Sequence, residues 1–202
     1  PNLDSLNNFL FIGDSITVGL QNSGQIKASG VKYAAVVSKD AGYWRSNLDT
    51  IYNTAPSNMQ GICIMLGVNN LSDHISTEKL IQILHGKYPK VPIYVQKVLP
   101  VNDTLEAYKL AGYNAHNDAI NRYNEAIAEF CNSNSVVYNC YFIDTSEGYV
   151  DSNGLLLQTS DGLHPNNYEQ LARNIENAIV NTNVDNNQED ANQEENTNEE
   201  EG

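Results

Sequence analysis

Basic residues are scarce in this chain: 11 Lys and Arg stand against 25 Asp and Glu, for a formal charge of −14 at pH 7. Nucleic acid and anionic membrane surfaces are poor partners for it, because both select basic patches. Cysteine is nearly absent as well. Cys63, Cys131 and Cys140 form no disulfide framework and stand at no metal-ligand spacing. Cys63 lies inside the apolar run Gly61–Leu66 and reads as a buried, inert thiol. Cys131 and Cys140 would pair only outside the cytoplasm, and only if their side chains face each other. No apolar run approaches the roughly 20 residues of a membrane span. Neither G-x-G-x-x-G nor G-x-x-x-x-G-K-[ST] occurs, which sets nucleotide binding far down the order of readings. Residues 1–8 lack the basic and apolar blocks of a signal peptide. The chain starts without Met, so prior removal of a targeting segment is compatible with it.

What is present is unevenly spread. Eight of the acids, from Asp185 to Glu201, fall after Thr182, where there is no Lys or Arg, and the rest of the chain carries only −6. Residues 1–181, within a chain 41% hydrophobic overall, suit one globular domain with its own core. Residues 182–202 are Asn, Gln and Glu with almost nothing apolar. Such a segment buries too little to offset its ordering entropy, so an unstructured acidic tail is expected.

Within the domain, short apolar runs alternate with helix-like stretches. Strands are expected at Phe9–Ile12, Tyr33–Val37, Gly61–Leu66, Ile93–Val98 and Val136–Ile143. Helices are expected at Ser15–Leu20, Trp44–Asn53, Thr77–Tyr88, Asn117–Cys131 and Asn166–Val180. The third and fourth strands are rich in β-branched residues, as strands buried on both faces are. Ser76-Thr77-Glu78 reads as a capped helix start, and Pro89 and Pro92 stop that helix. The alternation predicts an α/β fold: a three-layer α/β/α sandwich on a central five-stranded parallel sheet, flavodoxin-like in layout.

Three short stretches carry the chemistry. In Phe11-Ile12-Gly13-Asp14-Ser15-Ile16-Thr17 an apolar strand runs into Gly-Asp-Ser and then a helix. A serine there is exposed at a strand's carboxyl end, beside backbone N–H groups able to hold developing negative charge. A helix-capping serine after a glycine turn would look the same. In Asp161-Gly162-Leu163-His164-Pro165 an acid three residues before an imidazole can orient it as a general base, and Pro165 suits the first helical position. A capped turn with an incidental surface histidine is the bland alternative. In Leu66-Gly67-Val68-Asn69-Asn70, Asn69 falls at the same sheet edge as Ser15, since parallel strands share their carboxyl ends. Taken alone it is an ordinary Asn-rich turn.

In combination, and in this order, the three stretches resemble the blocks of the SGNH hydrolase superfamily, the GDSL-type esterases, lipases and acylhydrolases. The resemblance runs from Phe9 to about Ile179. It implies a Ser15–His164–Asp161 triad, an oxyanion hole formed by the Ser15 and Gly42 N–H groups and the Asn69 amide, and no metal or organic cofactor. Gly42 is the weakest match. Asn70 stands where the family has Asp, a change that touches loop hydrogen bonding and leaves the triad types complete. Asp14, Tyr43, Trp44 and Asn70 are candidate substrate contacts; the aromatic pair would stack on a sugar or else anchor the core. His74, His85 and His116 match no motif and are read as surface or loop residues.

The expected activity is hydrolysis of a short acyl ester, acetyl above all, on a carbohydrate or other glycan. No apolar lid for a long chain is evident. A lysophospholipase- or thioesterase-type acylhydrolase is the alternative within the enzymes, and a catalytically idle glycan-binding module with the same fold is the alternative outside them. An extracytoplasmic setting in a bacterium is expected, a cytoplasmic one being compatible with the same composition.

Overall fold

The computed structural model describes residues 3–200, with side chains described from residue 5 to residue 184. After a short 3-10 helix at Leu3–Leu6, strands and helices alternate. The strands are β1 (Phe9–Gly13), β2 (Lys32–Ala35), β3 (Gly61–Met65), β4 (Ile93–Gln96) and β5 (Cys140–Ile143). The helices are α1 (Ser15–Ser23), α2 (Ala41–Arg45), α3 (Leu48–Thr54), α4 (His74–Lys87), α5 (Glu106–Leu110), α6 (Asn117–Tyr138) and α7 (Tyr168–Glu200). The strands pair in parallel in the order β2-β1-β3-β4-β5. The chain is thus the α/β sandwich with a five-stranded parallel sheet that its alternating pattern predicts.

Side-chain alternation along the strands divides the interior in two. Leu10 and Ile12 of β1, Ile62 and Ile64 of β3 and Ile93 and Val95 of β4 point into one core, shared with residues of α2, α3, α4 and α6. Phe9, Phe11, Cys63, Met65 and Tyr94 point into the other, shared with α1 and α7. Both faces of β1 and β3 are therefore dry, which is why these strands read as continuous apolar runs. All three cysteines are buried and free.

The departures from expectation are local. The stretch expected as one helix, Trp44–Asn53, is two, α2 and α3, with Asn47 capping the second. The last strand starts at Cys140; Val136 and Val137, β-branched though they are, belong to the end of α6, 96% and 59% exposed. Asn139, left-handed at φ 49, ends that helix and turns the chain into β5, a role in which Asn is at home. Helix α4 begins earlier than Ser76: its cap is Asp73, whose carboxylate accepts from the Ser76 N–H at 3.0 Å. Pro165 lies outside α7, in a bridge with Thr159, and Asn167 instead receives the Gln170 N–H at 3.1 Å. Helix α5 interrupts the stretch 100–116, expected to be irregular. Helix α7, expected to end at Val180, runs on to Glu200 through the segment expected to be unstructured. Its buried face ends at Ile179, and the side chains from residue 185 on lie outside those described.

The tryptophan settles into the core. Trp44 is 0% exposed, its indole N–H donating to the Gly13 carbonyl at 3.2 Å. It thereby ties α2 to the end of β1. Trp44→Ala is expected to cost about 3–5 kcal/mol of stability, the range for emptying a large aromatic site. A drop in the urea midpoint with an unchanged slope would show it.

Candidate active site

In the sheet order β2-β1-β3, β1 lies between strands reached in opposite directions along the sheet, so a crevice opens at its carboxyl end. All three motif stretches arrive there. Gly13 closes β1, Asp14 caps α1, and Ser15 is its first residue. The Asp14 carboxylate accepts from the Ile16 N–H at 3.0 Å, so the cap is real, but Asp14 supplies it and the Ser15 hydroxyl stays free for other work. The Ser15 N–H belongs to the first turn, where no intrahelical acceptor exists.

The stretch 159–165 is folded around one carboxylate. Asp161 Oδ1 accepts the Leu163 and His164 N–H groups at 2.9 and 2.8 Å. Gly162 has φ +83, and a Cβ there would meet the Asn102 carbonyl at 2.4 Å, so this turn demands glycine. Asp161 Oδ2 lies 2.7 Å from His164 Nδ1, and His164 Nε2 lies 2.8 Å from Ser15 Oγ. Burial would raise the Asp161 carboxyl, but the His164 N–H, its imidazole and the Leu163 N–H outweigh that and hold it at about 2. An ionised Asp161 makes Nδ1 the protonated nitrogen and leaves Nε2 to accept from the serine hydroxyl.

Asn69 follows β3 and reaches back to β1 and the loop after β2. Its side-chain amide donates to Asp14 Oδ2 at 3.1 Å and to the Lys39 carbonyl at 3.2 Å. Asp14 is 1% exposed, so it contacts Asn69 and helix α1 rather than any substrate, correcting the expectation for it. Burial pushes its carboxyl up to about 6, against the lowering effects of the Ile16 N–H and the neighbouring His164.

A cleft of about 260 Å³ opens over Ser15 and His164, walled by Val37, Ser38, Val68, Asn69, Ala115 and Leu163, with Gly112, Tyr113 and Asn114 at its rim. Of the remaining candidates, Trp44 is in the core and cannot stack on a ligand. Tyr43 is half-buried under the Lys39 ammonium, 5.0 Å from its ring centre, and lies outside the cleft wall. Gly42 sits in the first turn of α2, and Val37 and Ser38, not Gly42, form the wall on that side. Asn70 donates to Asp40 Oδ2 at 3.0 Å, bracing the loop as its family counterpart was expected to.

Sequence reasoning missed Ser38 and Tyr113. Ser38, left-handed at φ 60, had one available signal: it follows β2 at the carboxyl edge of the sheet. Tyr113 donates to Asp161 Oδ2 at 3.3 Å, and its ring stands edge-on to the His164 ring with the centroids 6.1 Å apart. Nothing local in the stretch 100–116 announces that contact. His74, His85 and His116 are all away from the cleft wall, and among the described residues no group of His, Cys, Asp and Glu is arranged to hold a metal ion.

The model of the GDSL-like lipase/acylhydrolase family matches residues 11–168. No curated protein matches the chain. Among solved structures, one from Streptococcus pneumoniae, described provisionally as a platelet activating factor, is 25% identical with a TM-score of 0.75, over 86% of this chain and 84% of that one. A family 3 carbohydrate esterase from Clostridium thermocellum is 19% identical with a TM-score of 0.62, over 86% of this chain and 95% of that one. The catalytic domain of peptidoglycan O-acetyltransferase A from Streptococcus pneumoniae, carrying a methylsulfonyl adduct, is 15% identical with a TM-score of 0.59, over 88% of this chain and 95% of that one.

The buried Asp14 generates a pH prediction. With its folded carboxyl at about 6 against 3.8 unfolded, the native state keeps a proton that the unfolded chain has released between those values. Its contribution to stability is therefore full below about pH 4, declines as pH rises to 6, and is flat beyond. Asp14→Asn removes this dependence. The stability of the wild type relative to the variant should fall by up to about 3 kcal/mol between pH 4 and 7. Paired denaturant melts across that range check it, and a difference that does not vary with pH would refute it.

Proposed function

The chain belongs to the GDSL-like lipase/acylhydrolase family and is an ester hydrolase; from that premise we propose that it removes short acyl groups, acetyl above all, from a carbohydrate, using Ser15, His164 and Asp161. The observation that carries the proposal is the unbroken run Asp161–His164–Ser15, at 2.7 and 2.8 Å, ending in a cleft of only about 260 Å³.

Ser15 Oγ attacks the ester carbonyl carbon while His164 Nε2 takes its proton, and the Asp161 carboxylate stabilises the imidazolium that forms. His164 then returns the proton to the departing alcohol. Water, deprotonated by His164 in turn, attacks the acyl-serine and releases the acid. The oxyanion is held by the Ser15 N–H and by Asn69, whose amide exchanges the Lys39 carbonyl for it and keeps its bond to Asp14. That bond fixes the direction of the donated proton in advance, which is where such sites gain most of their advantage.

The acyl group has little room. Val37, Val68, Ala115 and Leu163 offer it short apolar walls, and a cleft of this volume lies below the usual range for drug-sized ligands. A carbohydrate substrate is supported by the exposed Asn114 amide at the rim, which suits hydroxyl groups, and by the likeness in fold to a carbohydrate esterase. A glycan outside the cytoplasm fits the setting expected for the chain. No helix among the described residues is long and apolar enough to cross a membrane.

Two measurements test this. A fluorophosphonate probe should label the wild type and fail to label Ser15→Ala, whose kcat on p-nitrophenyl acetate should fall about 10⁴-fold or more. Undiminished labelling of Ser15→Ala would remove the serine from its role. On p-nitrophenyl esters of increasing length, kcat/KM should fall beyond about four carbons, as the four short walls run out. A preference for long chains would leave the mechanism standing and refute the short-acyl assignment.

A further inference from the structure

Beside the cleft over Ser15 lies a larger trough of about 470 Å³ that the hydrolytic chemistry leaves unused. The two share Val68, Asn69, Asn114 and Ala115 as a common wall, so a molecule with its ester at Ser15 extends directly into the trough. Its other walls include Asn70, Ser72 and, from α6, Arg122. No carboxylate lines the trough. Arg122 is exposed, and among the described residues no acid forms an ion pair with it.

An unpaired guanidinium at this place is informative because the rest of the protein is acidic. Even without the segment after Thr182 the chain carries −6, a field that repels anions. The trough's lining holds one cation and no carboxylate, with Asp118 and Glu125 one helical turn either side of Arg122 on α6 but outside that lining. Arg presents a planar fork that matches a carboxylate with two parallel N–H···O bonds. One cation also matches one negative charge better than it matches a doubly charged phosphate.

We propose that Arg122 is a specificity residue that binds a carboxylate on the alcohol half of the substrate, so that the preferred ester is an acylated sugar acid. The inference rests on the short-acyl esterase reading above and names the substrate class of that same site. Asn114, exposed on the wall the two cavities share, meets the sugar hydroxyls, and Arg122 selects the charged ring. The contact lies away from the reacting carbonyl and is made equally in ground and transition states, so it lowers KM rather than raising kcat.

The test compares mono-O-acetylated methyl glucuronate with mono-O-acetylated methyl glucoside, following acetate release by the full-length chain. The wild type should show the lower KM on the glucuronate, with the advantage shrinking in 0.5 M NaCl. Arg122→Gln should raise KM for the glucuronate about tenfold more than for the glucoside, the size of a hydrogen-bonded charge contact, with kcat nearly unchanged. Arg122→Lys should recover part of the loss. Equal effects of Arg122→Gln on both sugars, or no effect on either, would overturn the inference while hydrolysis of the glucoside kept the esterase reading intact. Failure to hydrolyse either sugar, together with absent fluorophosphonate labelling, would instead overturn the reading beneath it.

Discussion

The site depends on one carboxylate with two duties. One oxygen of Asp161 gathers the Leu163 and His164 N–H groups and so folds the turn; the other receives the His164 imidazole. The bonds that shape the backbone thus also fix the orientation of the His164 imidazole, with no distant element needed to aim it. The same donors explain why this partly buried carboxyl stays ionised despite desolvation. Tyr113 adds a phenol to the same oxygen at 3.3 Å from the stretch before α6, so the arm over the cleft and the turn beneath it are braced on a single atom pair.

A second carboxylate does the opposite. Asp14 is sunk beneath the site, unpaired by any cation, with its carboxyl raised to about 6. Its use is geometric: one oxygen caps α1 through Ile16 and the other holds the Asn69 amide. Through it the end of β1 and the loop after β3 share a fixed spacing. The buried charge is a stability cost above pH 6 that the fold carries for the sake of that spacing, a trade common where a polar network specifies one arrangement.

How much of this was readable from the sequence follows from the range of the interactions involved. The strands of the sheet's centre, β1, β3 and β4, are legible because burial on both faces leaves a continuous apolar signature. The hydrogen-bonded set Ser15, His164 and Asp161 is legible because two of its members sit three residues apart and the third lies in a strand-to-helix turn, all local patterns. Where the deciding contact is remote, legibility ends. Val136 and Val137 favour a strand by propensity, yet α6 continues through them, since their exposed side chains decide nothing and Asn139 supplies the stop. Trp44 beside a candidate oxyanion glycine left a sugar platform and a core anchor both open, and only its packing between α2 and β1 decides for the anchor. Gly42 had the right residue type near the right strand, but the chain reaches the cleft earlier, at Val37 and Ser38. Ser38 adopts a backbone that usually favours glycine, so a search by residue type passes over it.

The same distinction separates chemistry from selectivity in this fold. Ser15, Asp161 and His164 each come from a turn of a few residues at the carboxyl edge of the sheet, where the fold delivers them together. The walls of the cleft and trough are drawn more widely, from Val37 and Ser38 after β2, residues 68–72 after β3, residues 112–115, Leu163, and Ala119 and Arg122 of α6. Loops and helix faces of this kind tolerate change because the sheet does not depend on them. Val37 and Leu163 line only the cleft over Ser15, whereas Asn70, Ser72 and Arg122 line only the trough beside it. Substitutions at Ala119 and Arg122 of α6 can therefore reshape the trough while the hydrogen-bonded run from Asp161 to Ser15 stays as it is.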